Sequence, residues 1–319
     1  MNDKLSYYIK CLTHLRRDSK NGGAPHKPIL LLSVIGLFEQ GVYFNSEIHI
    51  LPELVSSFKS HWSKLVETNH NQIFALPFYH MSSEPFWKLL PNLGCEKWIQ
   101  AKGSMRSFSN LKTAIDYAII DKELAQLLLE PDSRDILKIA VLERYFPAAD
   151  NGLTGVDGDL PSGIILHESS AEYKQKILAL KDLLDDNAFQ EEVFVRSGIF
   201  KREIPKLYNN TCAISGLRID ATANISMVDA CHIVPFSEAY DDSISNGIAL
   251  CPNLHRAFDR GLISISDDYK VLLASNFVEN FDSPYNLKQF EGTEINLPAA
   301  SENYPSLEGL RWQRERFGD

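Results

Sequence analysis

The chain has 319 residues, of which 44% are hydrophobic, and a formal net charge of −10. This length and apolar content suffice for two hydrophobic cores of ordinary size, and the acidic balance excludes a protein coated in nonspecific basic surface. The sequence shows neither a signal-peptide pattern at its start nor an apolar run long enough to span a membrane, so we expect a soluble, cytoplasmic protein.

Helical spacing and prolines organise the first part of the chain. Apolar residues recur at helical spacing over residues 5–15. Pro28 suits the first turn of a second helix, residues 29–40, which is apolar on nearly all sides and ends at Gly41. We expect this helix to be buried. A third predicted helix covers residues 52–67 and starts with a proline.

Short strands and a closing pair of helices are predicted for the rest of this domain. The stretch FALPFYH, residues 74–80, has the composition of a loop, and EPFWKLL, residues 84–90, that of a short strand. Asp121 and Pro131 each open a helix. The N-terminal domain, predicted over residues 1–146, is therefore mostly helical with short strands.

Basic residues concentrate in two runs of this domain. Residues 10–28 carry five Lys or Arg residues against one Asp, and residues 97–115 carry four with no acid. Either run alone is compatible with an ordinary solvated face. Two such runs in one domain favour a polyanionic partner.

A linker separates this domain from the next. Residues 147–170 contain four glycines and two prolines but no Lys or Arg, the composition of a connecting segment. Residues 171–186 then place apolar side chains on one helical stripe. The second domain is predicted over residues 171–319.

A strand, a loop and a helix follow one another in the second domain. MVDACHIVP, residues 227–235, alternates in polarity and ends in proline, which predicts a strand. FSEAYDDSISNG, residues 236–247, is a polar loop, and LHRAFDRG, residues 254–261, predicts a short helix that ends at its glycine. The resulting order of strand, loop, strand or turn, and helix predicts a small ββα unit.

Two histidines are brought together by this arrangement. His232 lies on the predicted strand and His255 on the predicted helix, with Asn246 fixing the loop between them. A neutral imidazole can take a proton from water, and a divalent cation held nearby can neutralise a phosphorane and a departing oxygen. The pattern is therefore suited to the hydrolysis of a phosphodiester.

The segment resembles the HNH, or ββα-metal, nucleases. Their pattern is a base histidine, an asparagine 14 residues later and a histidine or asparagine 9 residues after that, which His232, Asn246 and His255 match. The resemblance implies that His232 is the general base, that Asn246 orients the loop, and that His255 ligates Mg²⁺ or Mn²⁺. These three residues are our predicted catalytic set.

One position departs from the family pattern. Many such nucleases have a metal-binding aspartate directly before the base histidine, but this chain has Cys231, a soft ligand that suits Mg²⁺ poorly. Asp229 shares a strand face with position 231, so Asp229 and His255 are the predicted metal ligands. Asp259, four residues after His255 on the helix, is either a further ligand or the partner of a neighbouring arginine.

The cysteine pattern predicts no structural zinc. The chain has an odd number of cysteines and no CxxC pair, which favours free thiols. The five are Cys11, Cys95, Cys212, Cys231 and Cys251.

The N-terminal domain resembles a second known module. GGAPHKPILLLSVIGLFEQG, LPFYHMSSEPFWKL and the stretch from DYAII to LERYF are similar to the sulfur-binding domain that is joined to HNH modules in McrA-type, modification-dependent restriction endonucleases. This resemblance covers about residues 5–146. It implies a double-stranded DNA target that carries a backbone phosphorothioate, in which sulfur replaces a nonbridging oxygen.

The resemblance also implies which residues read the modification. It implies cationic or polar contacts near HKP at the start of the second helix, and an apolar cup around the proline of LPFYH. The family often has an aromatic residue before that proline, whereas this chain has leucine. The reader residues are Lys20, His26, Lys27, Leu76, Pro77, Phe78 and His80.

The whole sequence predicts an α+β protein with a helical DNA-reader domain, a linker and a ββα-metal nuclease domain. The expected activity is that of a type IV restriction endonuclease that depends on Mg²⁺ or Mn²⁺ and cuts phosphorothioate-modified DNA, as a homodimer because each chain has one nuclease unit. Two alternatives stay open: an HNH endonuclease that reads methylated or hydroxymethylated cytosine, and a nuclease-dead DNA-binding regulator.

Overall fold

The structure, a computed structural model, describes residues 3–19, 23–101, 103, 105–147, 168–219, 226–275, 277–279 and 285–317. It divides into two compact units, residues 1–160 with 184–195 and residues 161–183 with 196–319. The predicted α+β fold class is confirmed. The predicted boundary differs, since residues 184–195 pack with the first unit, and most of the predicted linker lies outside the described residues.

Helices form most of the described part of the first unit. They are α1 (Asp3–Thr13), α2 (His26–Glu39), α3 (Pro52–Leu65), α4 (Ala75–His80), α5 (Glu96–Gln100), α6 (Phe108–Ala114), α7 (Lys122–Leu129) and α8 (Pro131–Tyr145). The predicted buried helix is confirmed in α2, where every residue from Lys27 to Phe38 is buried. Prolines stand in the first turns of α3 and α8, where a missing amide hydrogen costs no helical hydrogen bond.

A three-stranded antiparallel sheet completes this unit. Its strands β1 (Glu47–His49), β2 (Trp87–Pro91) and β3 (Ile115–Ile120) lie in the order β1-β3-β2. The predicted strand near EPFWKLL is confirmed by β2. The loop predicted at residues 74–80 is wrong, because these residues form α4, in which Pro77 occupies the first turn and Phe78 packs against Phe74 one turn earlier.

The second unit contains the predicted ββα arrangement. Its elements are α9 (Ser170–Leu183), α10 (Asp186–Leu207, whose first residues belong to the other unit), β4 (Asp229–His232), α11 (Phe236–Ala239), β5 (Gly247–Leu250), α12 (Pro252–Asp259), β6 (Ile263–Ile265), β7 (Val271–Leu273) and α13 (Leu307–Phe317). Strands β4 and β5 pair antiparallel, and α12 follows β5 directly. No helix among the described residues is both long and apolar enough to cross a bilayer.

The core of this unit packs one face of β4 and β5 against α10. Phe200 and Ile204 on α10 are completely buried and lie over Gly247 at the start of β5. A Cβ atom at Gly247 would lie 2.3 Å from the Ile204 side chain and 2.9 Å from the Phe200 ring. Glycine is therefore required for α10 to approach the strands this closely.

Candidate active site

The two predicted catalytic histidines line one cavity. His232 is the last residue of β4 and pairs with Gly247 of β5, whereas His255 lies in the middle of α12. The antiparallel ladder and the short connection from β5 into α12 bring both rings to a cavity of about 330 Å³. Aromatic and cationic side chains of α11 and α13, among them Phe236, Trp312 and Arg316, line the same cavity.

Asn246 holds the loop that returns to β5. Its buried side-chain amide donates to the carbonyls of Val234 and Asp241, both at 2.9 Å, and its oxygen accepts from the Val234 amide at 2.8 Å. The asparagine thus satisfies three backbone groups that would otherwise be buried without partners. These contacts hold the chain just after His232 in a fixed position relative to the loop.

The His232 ring is fixed by two residues that the sequence analysis did not identify. Its Nε2 atom lies 2.7 Å from Oδ1 of Asp242, whose carboxylate is almost completely buried. The Phe200 ring stacks on the imidazole with centroids 4.0 Å apart and an interplanar angle of 7°. Sequence spacing gives no sign of either residue, although two adjacent aspartates, Asp241 and Asp242, lie in the predicted polar loop that contains Asn246.

Carboxylates surround His255 on two sides. Its Nδ1 atom lies 3.8 Å from Asp229 and its Nε2 atom 3.4 Å from Asp259. Both carboxylates are more than half exposed, so they remain hydrated and available to a cation. Imidazole and carboxylate are donors that suit Mn²⁺ and Mg²⁺. The two carboxylates face opposite nitrogens of the ring, and of the two it is Asp259 that falls within a compact cluster of candidate ligand atoms.

Cys231 lies beneath this donor group. Candidate ligand atoms of Cys231, His255 and Asp259 all fall within 4.8 Å of one another. Burial, with a further contribution from Asp259, raises the pKa of the Cys231 thiol well above its usual value. The Cys231 sulfur lies 3.8 Å from Oδ1 of Asp259. A thiol is a soft donor that suits Mg²⁺ poorly, and its contact with Asp259 supports that carboxylate.

A second cavity lies in the first unit at the predicted reader residues. It measures about 480 Å³ and has both apolar and basic walls. Five of the seven predicted reader residues line it: His26, Lys27, Leu76, Pro77 and His80. Phe78 does not, because it is completely buried between Phe74 and Trp87, so its prediction as part of the cup is wrong. Lys20 lies outside the described residues.

Lys27 is already paired within the protein. Its ammonium donates to Oε1 of Glu84, and also to Ser83 Oγ at 2.7 Å. Burial lowers the pKa of Lys27, and the hydrogen bond to Glu84 partly offsets that shift. The same Glu84 oxygen accepts from the Arg16 amide at 3.0 Å, so Glu84, which the sequence analysis missed, organises one wall of the cavity.

Arg17 presents a fixed guanidinium to this cavity. Its Cζ atom lies 4.4 Å from the centre of the Tyr145 ring, and its Nη1 atom donates to the Ala24 carbonyl at 3.2 Å. Gly23 passes beside the guanidinium with a φ of +92°, where a Cβ atom would lie 3.1 Å from the arginine. The loop before α2 therefore holds Arg17 in one orientation.

Comparison with known proteins is informative for one part of the chain. Residues 212–266 match the HNH_2 family, described as HNH endonuclease. A search of curated proteins finds no significant match.

Three solved structures show limited similarity to this chain. A modification-dependent TagI restriction endonuclease is 25% identical, with 39% of each chain covered and a TM-score of 0.30. The sulfur binding domain and SRA domain of ScoMcrA, complexed with phosphorothioated DNA, are 17% identical over 46% of this chain and 44% of theirs, with a TM-score of 0.35. The type IV phosphorothioation-dependent restriction endonuclease ScoMcrA is 12% identical over 78% of this chain and 94% of its own, with a TM-score of 0.34.

The match covers less than half of the first two of these structures. The family match places β4, β5 and α12 inside the recognised segment, together with His232, Asn246 and His255. The chain therefore contains an HNH endonuclease domain at residues 212–266.

Proposed function

We propose that the protein is a metal-dependent DNA endonuclease that hydrolyses a phosphodiester bond in its HNH domain. The observation that carries this proposal is the shared cavity of His232 and His255, with two carboxylates beside His255. A proton acceptor and a cation-binding group that line one cavity are the two parts that phosphodiester hydrolysis requires.

Each residue has a defined task in this proposal. His232 takes a proton from the attacking water, because the bond from Nε2 to Asp242 leaves the other ring nitrogen free to accept. Asp229, His255 and Asp259 would hold Mg²⁺ or Mn²⁺, which when bound supplies positive charge to the phosphate and the leaving oxygen. Asn246 keeps the loop and strand in register around His232.

The cavity of the first unit supports phosphorothioate as the feature that is read. Sulfur is larger and less tightly hydrated than oxygen, so an apolar wall bordered by cations favours it. Leu76 and Pro77 supply such a wall here, and Arg16 and Arg17 supply charge. The ScoMcrA sulfur-binding domain, which was solved with phosphorothioated DNA, is the corresponding module in our proposal. The activity would then be that of a type IV restriction endonuclease.

A cleavage assay tests the activity and the modification together. Duplexes of one sequence that carry a phosphorothioate, 5-methylcytosine, 5-hydroxymethylcytosine or no modification are incubated with the protein and Mg²⁺ or Mn²⁺. We expect cutting of the phosphorothioate duplex by the native chain. His232→Ala should lower the rate by roughly 10²- to 10⁴-fold, because general-base catalysis contributes about that much. DNA binding should be unchanged, since the cavity of the first unit is intact.

Two variants make the assay specific. His49→Ala removes a histidine from β1, outside the HNH domain, and should cut like the native chain. Leu76→Glu places a carboxylate in the reader cavity and should abolish the preference for sulfur. Cutting of the cytosine-modified duplexes alone would replace the phosphorothioate reading with a modified-base reading. Failure to nick any duplex with either metal would make the chain a DNA-binding regulator.

A homodimer is part of this proposal. One HNH domain per chain provides one set of catalytic residues, and a double-strand break needs two cuts. Sedimentation of the protein with a phosphorothioate duplex should give two chains per complex. One chain per duplex, together with accumulation of nicked DNA, would contradict the dimer while leaving the endonuclease intact.

A further inference from the structure

Helix α9 lies outside the HNH-matched segment but contacts the loop of the candidate active site. Ser170, at the start of α9, has its hydroxyl 3.2 Å from that of Ser243 and 3.3 Å from that of Ser245. One turn later, Tyr173 is completely buried and donates from its hydroxyl to Oδ2 of Asp242 at 3.3 Å. A helix that precedes the HNH segment by about thirty residues is therefore part of the same packed unit.

Asp242 uses its two oxygens for two different partners. Oδ1 lies 2.7 Å from Nε2 of His232, and Oδ2 accepts from Tyr173. The carboxylate side chain is only 1% exposed. A buried carboxylate is costly without hydrogen-bond donors, and these two contacts supply them.

We infer that Asp242 and Tyr173 are positioning residues that hold His232 in one tautomer and one orientation. The Asp242 carboxylate accepts a hydrogen bond from the ring, which places the imidazole proton on Nε2 and leaves the lone pair on Nδ1. Tyr173 anchors the second oxygen and so prevents the carboxylate from rotating away. The inference rests on the proposed role of His232 as the general base. It adds Asp242 and Tyr173, which lie outside the predicted catalytic set, as the residues that position this base.

Packing around the ring agrees with this assignment. The face of Phe200 covers the His232 imidazole, so the ring cannot turn out of the plane of its bond to Asp242. Gly247, which lacks a side chain, leaves the space that Phe200 occupies. Burial, followed by the charge of Asp242, raises the pKa of the Tyr173 phenol far above its usual value, so Tyr173 remains a donor at every working pH.

Asp242→Asn is the principal test. The variant keeps the shape of the side chain but allows its amide to donate to Nε2, which favours the opposite tautomer. We expect cleavage to fall toward the level of His232→Ala, a loss of roughly 10²- to 10⁴-fold, with DNA binding unchanged. Tyr173→Phe removes one hydrogen bond and should reduce cleavage by roughly three- to thirtyfold.

Nitrogen NMR of the histidine side chains gives a readout that a purely structural role would not change. The His232 signals, assigned by their loss in His232→Ala, should show the Nε2-protonated tautomer in the native chain and a shift toward the other tautomer in Asp242→Asn. Tyr173→Phe should give an intermediate mixture. This measurement needs no metal or DNA, so it remains decisive even when the native chain cuts nothing and the proposed function fails.

Asp241→Asn is the matched control. Asp241 directly precedes Asp242 and is also buried. Its carboxylate accepts a hydrogen bond from the Ser243 amide at 2.8 Å, which asparagine can keep. The control should keep the native tautomer and the native cutting rate. The inference is overturned if Asp242→Asn leaves the His232 tautomer unchanged, or if Asp241→Asn shifts it equally. If Asp242→Asn does not fold, Tyr173→Phe alone decides by the same signals.

Discussion

A buried glutamate in the first unit offers the most quantitative test of the structure. Glu191 lies in the part of α10 that packs with this unit and is 1% exposed. Its Oε1 atom accepts from the Phe74 amide at 3.1 Å, and within the described part of the chain its Oε2 atom has no hydrogen-bond partner. Burial raises the pKa of Glu191 from its ordinary 4.5 to about 7, against opposing contributions from Lys59 and the Phe74 amide.

The raised pKa fixes the sign of the pH dependence. A carboxyl group that is harder to ionise in the folded chain than in the unfolded chain lowers the free energy of unfolding as the pH rises through the interval between the two pKa values. This penalty is absent below pH 4.5, grows as the pH rises toward 7, and is fully present above that. At about 1.4 kcal/mol for each pKa unit, the full penalty is about 3 kcal/mol. Glu191→Gln should remove this pH dependence.

Urea unfolding of the native chain and of Glu191→Gln at pH 4 to 8 measures the effect. The difference in free energy of unfolding between the two proteins should move by about 3 kcal/mol in favour of the variant across that range. Glu192→Gln is the matched control, because Glu192 pairs with Lys59 at 3.0 Å and its removal should give no stabilisation at pH 8. Parallel pH profiles for the native chain and Glu191→Gln would refute the reasoning.

Three further predictions concern the HNH domain and the reader cavity. Asp229→Ala and Asp259→Ala should each raise the Mn²⁺ concentration needed for half-maximal cutting by roughly ten- to a hundredfold, and an unchanged metal titration would remove that residue from the ligand set. Gly247→Ala should destabilise the second unit by about 1–3 kcal/mol in thermal unfolding, because the added Cβ would lie 2.3 Å from an isoleucine side chain; an unchanged melting temperature would contradict that packing. Glu84→Gln should cost about 3–5 kcal/mol in urea unfolding because it leaves Lys27 buried without its counter-charge, and a smaller loss would show that Lys27 reaches solvent.

Local signals in the sequence were sufficient where one residue decides the backbone. Pro52 and Pro131 mark helix starts because proline fits the first turn, and both helices begin there. Gly261 has a φ of +67° and ends the helix that carries His255, as expected of a glycine in that position. The ββα arrangement followed from such signals together with the alternation of polarity in β4.

Features that depend on packing between distant segments could not be predicted from such local signals. Helix Asp186–Leu207 was not predicted, because its apolar residues follow no single stripe and it contains Pro205. Asp242 was not predicted either. It lies ten residues after His232, and the two meet only because of how the intervening loop folds, which no sequence periodicity indicates. Phe78 was assigned to the apolar cup by its position beside Pro77 in the resemblance to the sulfur-binding domain, whereas the turn of α4 directs that ring into the core.

The pairing of Lys27 changes which groups give the reader cavity its charge. A lysine that is 7% exposed and bonded to Glu84 contributes little net field to a ligand, because the two charges largely cancel. Among the described residues that line the cavity, Arg16 and Arg17 carry the remaining permanent positive charges, and Arg17 is held by the Tyr145 ring and the Ala24 carbonyl. A guanidinium is more weakly hydrated than an ammonium, and a phosphorothioate sulfur more weakly hydrated than a phosphate oxygen, so their contact requires the removal of less bound water. Under the proposed function, a preference for sulfur would follow from this match in hydration at Arg17 as well as from the apolar wall of Leu76 and Pro77.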